Sequence, residues 1–232
     1  MSIKYFFVLV LWEFKIHFKS FQSILILFFY AVSLTVVYHY SLREEIFLEE
    51  KNFYGLFLIS IFFMVILLSG RSLQREKEAG AYKMILISPL PRYIFYLTKV
   101  LTKSLIILLI VFFYQFIYKI LLIGQIELGK EQIYLILFIT PAIVSLTALG
   151  EIISLMSTGN KMRELVLPIL FFPLSLPVYM IFTSLLNEYL NSLNDQILNF
   201  FFSLKFVLPI ILSLIYVLMG ILFFSNLSIE ET

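Results

Sequence analysis

The stretch QREKEAGAYKMILISPLPR, Gln74 to Arg92, breaks into a chain that is otherwise a succession of long apolar runs. It sets Arg75, Glu76, Lys77 and Glu78 side by side, follows them with Gly80, turns apolar from Met84 to Ile87, and meets Pro89 and Pro91. What this burst of charge means depends on what surrounds it. Of the 232 residues, 61% are hydrophobic and 14% charged, and the mean hydropathy is +1.00. Soluble domains carry about 25% charge. The composition therefore defines an all-α, polytopic membrane protein forming a single transmembrane domain over residues 1–232, with the lipid bilayer as its principal surroundings.

A helix rises about 1.5 Å per residue, so a hydrocarbon core about 30 Å thick takes about 20 apolar residues. Six segments qualify: Phe21 to Tyr40, Phe53 to Gly70, Ser104 to Ile123, Ile133 to Met156, Leu165 to Leu186 and Phe206 to Phe224. Lys119 and Lys205 stand near span ends, where a long side chain snorkels to the headgroups. Six spans put Lys4, Lys15, Lys19, Arg71, Arg75, Lys77, Lys83, Arg92, Lys99, Lys103, Lys161 and Arg163 on one side. Only Arg43, Lys51, Lys119, Lys130 and Lys205 fall on the other, where Glu44, Glu45, Glu49, Glu50, Glu127 and Glu131 also lie. Basic residues favour the cytoplasm. Both termini, and the opening stretch, are thus expected there.

Two segments outside the spans have a character of their own. Residues 1–20 mix Tyr5, Phe6, Leu9, Trp12, Phe14 and Phe18 with Lys4, Lys15 and Lys19. At 100° per residue the three lysines share a sector of about 60°, which predicts an amphipathic helix along the inner membrane surface; the alternative is an extension of the first span. Its apolar run, Tyr5 to Trp12, is short and lacks a small-x-small site, so a retained segment is expected instead of a cleaved signal. Residues 187–205 are first polar and then aromatic at Phe200, Phe201 and Phe202, as in interfacial or re-entrant helices on the outer side.

Chemistry is sparse. The chain has no cysteine, hence no disulfide, thiolate metal site, iron–sulfur cluster or thiol nucleophile. A net charge of +2 with topologically distributed basic residues offers no face for nucleic acid. GQIELGKE, Gly124 to Glu131, imitates the start of a phosphate-binding loop, but Glu131 stands where magnesium requires Ser or Thr, and no strand precedes it. Any ATP must be bound by another chain. His17 and His39 are separated by 22 positions, about 33 Å of helix, so they cannot share a metal or haem iron. No catalytic residue is expected. Glu151, in TALGEIISLM, is the one acidic residue well inside an apolar run. It is either a functional intramembrane carboxylate or a group that reaches water or pairs with Lys161 or Arg163 near the inner end of its span.

A connection that only joined spans two and three would need about 2 to 8 residues, whereas residues 71–99 run about 30. Arg75 to Glu78 supply two charges of each sign, Ala81 to Ser88 are apolar enough to pack, and Pro89 and Pro91 stop the helix. Gly80 permits a bend or a close approach. A short charged helix held at the membrane face is a docking device for a soluble partner. REKEAGAYKMILISPLPRYIFYLTKVL resembles the segment between the second and third spans of type 2 ABC transporter permeases, through Glu78, Gly80, Ser88, Pro89 and Lys99. Within that superfamily it is similar to the haem exporter B family of cytochrome c maturation proteins, through Ser88 to Pro91. Thr140 to Ile181 resembles the same family's later half through Thr140, Pro141, Gly150, the Lys161 and Arg163 loop, Pro168, Pro173 and Pro177. The fourth span departs from the family's richness in Gly and Ala, offering Ala142, Ala148 and Gly150 beside bulky residues.

The resemblance implies a non-catalytic permease subunit of the bacterial inner membrane that dimerises, recruits a soluble ABC ATPase and works with haem-handling membrane proteins. Haem would be cargo of the complex, with no cofactor held by this chain alone. ATPase-coupling residues are then expected among Arg75, Glu76, Lys77, Glu78, Gly80, Ser88, Pro89, Pro91 and Arg92. With no haem ligand pair in the chain, transmission of ATP-driven motion is expected over carriage of haem. Pro168, Pro173 and Pro177 fit such motion by freeing backbone carbonyls in span five, although prolines are common in membrane helices anyway. Two alternatives remain open at this point: a type 2 permease for a drug, lipid or polysaccharide, and a membrane scaffold that transports nothing.

Overall fold

The computed structural model describes residues 2–19, 21–41, 50–78, 91–123, 131–156, 163–192, 200–201 and 203–226. Their long elements are all helices: α1 (Ser2–Lys19), α2 (Phe21–Ser41), α3 (Glu50–Glu78), α4 (Arg92–Ile123), α5 (Glu131–Met156), α6 (Arg163–Ser192) and α7 (Leu204–Asn226). No strand occurs among the described residues. Segments Ile24–Ser41, Arg92–Leu122, Gln132–Met156, Pro168–Leu190 and Leu204–Ser225 are long and apolar enough to cross a membrane. α3 adds a shorter apolar stretch, Tyr54–Ser69, coinciding with the expected second span.

Two helices run further than their apolar stretches. From Arg71 to Glu78 α3 meets neither Gly nor Pro, and its Gln, Arg, Glu and Lys residues are strong helix formers, so the helix continues to Glu78. α4 starts immediately after Pro91, whose carbonyl accepts the Ile94 amide at 3.0 Å and opens the first turn. At 32 residues α4 is about 48 Å long, roughly 18 Å more than a hydrocarbon core requires. Lys99 and Lys103, expected ahead of the third span, therefore lie on a packed helix.

α5 is the centre, packed against α3, α4, α6 and α7, while α2 lies on α3 and α4. The small residues of α5 are what allow this. Ala142, Ser145, Ala148, Gly150 and Ser154 are all buried, and a Cβ at Gly150 would overlap Ser69 Oγ on α3. Small side chains let helix backbones approach closely where no hydrophobic force between helices exists in lipid. At the end where α5 begins, Phe138 stacks on Tyr189 of α6 with centroids 4.5 Å apart and meets Phe182, Phe200 and Phe206. Residues 187–192 of the expected outer segment thus belong to α6, and Phe200 is a core residue.

α6 holds Pro168, Pro173 and Pro177 within one continuous helix, all three on its exposed side, while Phe171, Ser175, Val178 and Phe182 face inward. α1 is a separate helix packed on α4 and α2. Phe7, Val8, Leu11, Trp12 and Ile16 are exposed on the side that also carries Lys15, and Glu13 is turned into the protein.

Candidate functional site

Charge inside an apolar bundle is costly, so the places where it survives mark what the fold must hold. Glu151 is 0% exposed on α5, and the Lys103 ammonium on α4, 1% exposed, donates to its Oε1. Of the two readings left open for Glu151, its burial rules out contact with water, and the partner found is a lysine on a neighbouring helix; the Arg163 side chain lies outside the described residues. Lys103 is available because α4 begins at Arg92, eleven residues earlier, and carries the lysine about 16 Å up the helix to the level of Glu151. Lys161 lies outside the described residues.

One turn before Lys103, on the same face of α4, Lys99 is buried with its Nζ 3.9 Å from Glu13 Oε1 of α1. The other Glu13 oxygen is 3.9 Å from His17 Nε2. Paired opposite charges therefore join three helices: α1 through Glu13, α4 through Lys99 and Lys103, α5 through Glu151. A buried ion pair gains little net stability over apolar packing, but losing one member strands the other in low dielectric, which fixes the partners firmly. Glu13 drew no notice in the sequence. Its helical angle, opposite the Lys4, Lys15 and Lys19 sector, was the available signal.

Uncharged polar ties strengthen the α4–α5 contact. Ser104 Oγ and Thr147 Oγ1 share a hydrogen bond at 2.8 Å, and Tyr96 Oη donates to the Ala148 carbonyl at 3.4 Å. Toward α3 the picture differs. Ser154 Oγ donates to the Ser69 carbonyl at 3.4 Å, while Ser69 Oγ is buried with no partner. The C-terminal half of α5 is thus firmly bonded to α4 and only loosely tied to α3. These are the two helices that flank residues 79–90 in sequence.

Of the residues expected to couple to an ATPase, Arg75, Glu76, Lys77 and Glu78 lie in the last turns of α3. Pro91 and Arg92 open α4, Pro91 exposed. Gly80, Ser88 and Pro89 lie outside the described residues. His39 is exposed near the end of α2 and His17 is on α1. Among the described residues no group of three or more His, Asp or Glu could hold a metal ion. A cavity of about 20 Å³ between α3, α5 and α6, lined by Phe62, Leu146, Val178 and Phe182 among others, has room for about one water.

Helices of spanning length gathered on a small-residue central helix, with a buried charge line at one end, define a helical multi-pass membrane protein. A family model described as CcmB protein matches residues 4–223. The chain belongs to that family. The family supplies the transmembrane permease component of an ABC transporter for haem in cytochrome c biogenesis, a subunit not itself catalytic. It works with a separate ATPase and other maturation proteins. Comparison with curated proteins and with solved structures found no match.

Proposed function

We propose that this chain couples ATP hydrolysis by a separate soluble subunit to haem delivery, either by exporting haem or by releasing a haem-loaded chaperone. On this reading it sits in the bacterial inner membrane as a homodimer with six spans, α3 being the second, and both termini in the cytoplasm. The ATPase docks on the segment from Arg75 to Arg92. The observation that carries the reading is mechanical. That segment connects α3 and α4, and both are packed against α5, so a push on it reaches the centre of the bundle through packed helices. α1 joins the same unit through Glu13 and Lys99.

The test uses the membrane-inserted chain. Glu78→Lys and Gly80→Pro should leave insertion intact and abolish co-purification of the ATPase. Full recovery of the ATPase with both variants rejects docking at this segment. The native chain lacks cysteine, so a single thiol at Lys77 allows the contact to be crosslinked directly. Deletion of the protein should remove covalently haem-stained c-type cytochromes and spare b-type ones. Unchanged staining rejects haem delivery.

A further inference from the structure

The two faces of α5 that meet the legs of the charged segment are built differently. Toward α4 the contact is pinned at two levels: Lys103 to Glu151, and Ser104 to Thr147 at 2.8 Å. An ion pair in low dielectric and a hydrogen bond between buried hydroxyls each demand one geometry, so relative displacement of α4 and α5 breaks them together. Toward α3 the contact is close, smooth and loosely tied. Gly150 lies directly against the Ser69 side chain, leaving no knob to interlock. The Ser154 Oγ bond to the Ser69 carbonyl is 3.4 Å, at the long limit of a hydrogen bond.

Spare bonding capacity is also present at that smooth face. Ser69 Oγ, set against Gly150, is buried and unpartnered. Orphaned buried polar groups are rare in native proteins because each carries a desolvation penalty. Its presence at the seam marks an arrangement that a shift of one helix past the other can better.

We propose that α4 and α5 move as one body, locked by Lys103 and Glu151, and that displacement is taken up by sliding at the α3–α5 seam, where Ser69, Gly150 and Ser154 meet. Lys103 and Glu151 are on this view positioning residues, and Ser69 and Ser154 mark the moving surface. The inference rests on the coupling role proposed above.

Cysteine pairs in the otherwise thiol-free full chain, assembled with its ATPase, test it. The pair Ser104→Cys with Thr147→Cys bridges α4 and α5, and the pair Ser69→Cys with Ser154→Cys bridges α3 and α5. Formation of each bridge is checked by mass spectrometry, with a short bismaleimide used where a disulfide does not close. Output is covalent haem on c-type cytochrome, read before and after reduction for disulfides and against single-cysteine controls for bismaleimide. The expected result is output within twofold of the parent for the α4–α5 bridge and a loss of tenfold or more for the α3–α5 bridge. A block by the α4–α5 bridge, or normal output with the α3–α5 bridge, overturns the proposal. ATPase recovery is scored in the same preparations. If Glu78→Lys leaves that recovery intact, the docking reading fails on its own, whatever the bridges show.

Discussion

Replacing Gly150 by alanine is expected to destabilise the protein, although alanine is the better helix former. A Cβ at this position overlaps Ser69 Oγ and lies 2.9 Å from Ser69 Cβ and 3.4 Å from Phe171 Cε2. Carbon atoms rest at about 3.5–4.0 Å, so the α3–α5 seam must open by roughly 0.5–1 Å. Rotating the Ser69 hydroxyl away does not relieve the clash with its Cβ. Overpacking of this kind costs about 1–3 kcal/mol, and the helix preference of alanine over glycine returns about 1 kcal/mol. The net loss is therefore about 1 kcal/mol and at most about 2 kcal/mol. Ser69→Gly removes both offending atoms and should rescue Gly150→Ala; Ser69→Ala keeps the Cβ and should rescue only in part. The assay is a double-mutant cycle on reversible unfolding by dodecyl sulfate in mixed micelles, followed by Trp12 fluorescence and helical ellipticity. A coupling of about 1–2 kcal/mol between the sites is expected. Gly150→Ala as stable as the parent, or a coupling near zero, refutes the close seam.

Lys103→Met alone should cost about 3–5 kcal/mol in the same assay by stranding Glu151, and adding Glu151→Leu should restore stability to within about 1 kcal/mol. Equal losses in the single and double variants would show that Lys103 is not the partner. Gly220 on α7 lies against Tyr96, where an added Cβ overlaps Cζ and Oη and stands 2.6 Å from Cε1. Gly220→Ala is expected to displace that fully buried ring and lower stability by about 1–3 kcal/mol, with a new proteolytic cut near the start of α4 as a second readout. An unchanged digestion pattern and unfolding midpoint would contradict the α4–α7 packing.

Much of the architecture was legible. The apolar runs place α2 and α4 to α7, since a bilayer demands helices of a given length and forbids unsatisfied backbone. The apolar run expected as the second span is helical, but its apolar stretch, Tyr54–Ser69, is shorter than the other five, and α3 continues to Glu78. The extent of α4 was harder to read. Arg92, Lys99 and Lys103 look like loop charges when counted for topology, yet Pro91 starts a helix through all three. A lysine reads as solvent-facing until the carboxylate that neutralises it is known, and here that carboxylate is 48 residues away.

Sequence alone determined that the chain lives in a membrane and where its apolar helices fall. Those conclusions follow from local hydropathy and charge, which need no knowledge of neighbours. Only the tertiary structure decided that Glu151 answers Lys103, that Glu13 turns inward to Lys99, and that Gly150 makes room for Ser69. Each of these pairs residues on different helices, and which faces meet is set by packing around α5, a property no stretch of sequence carries by itself.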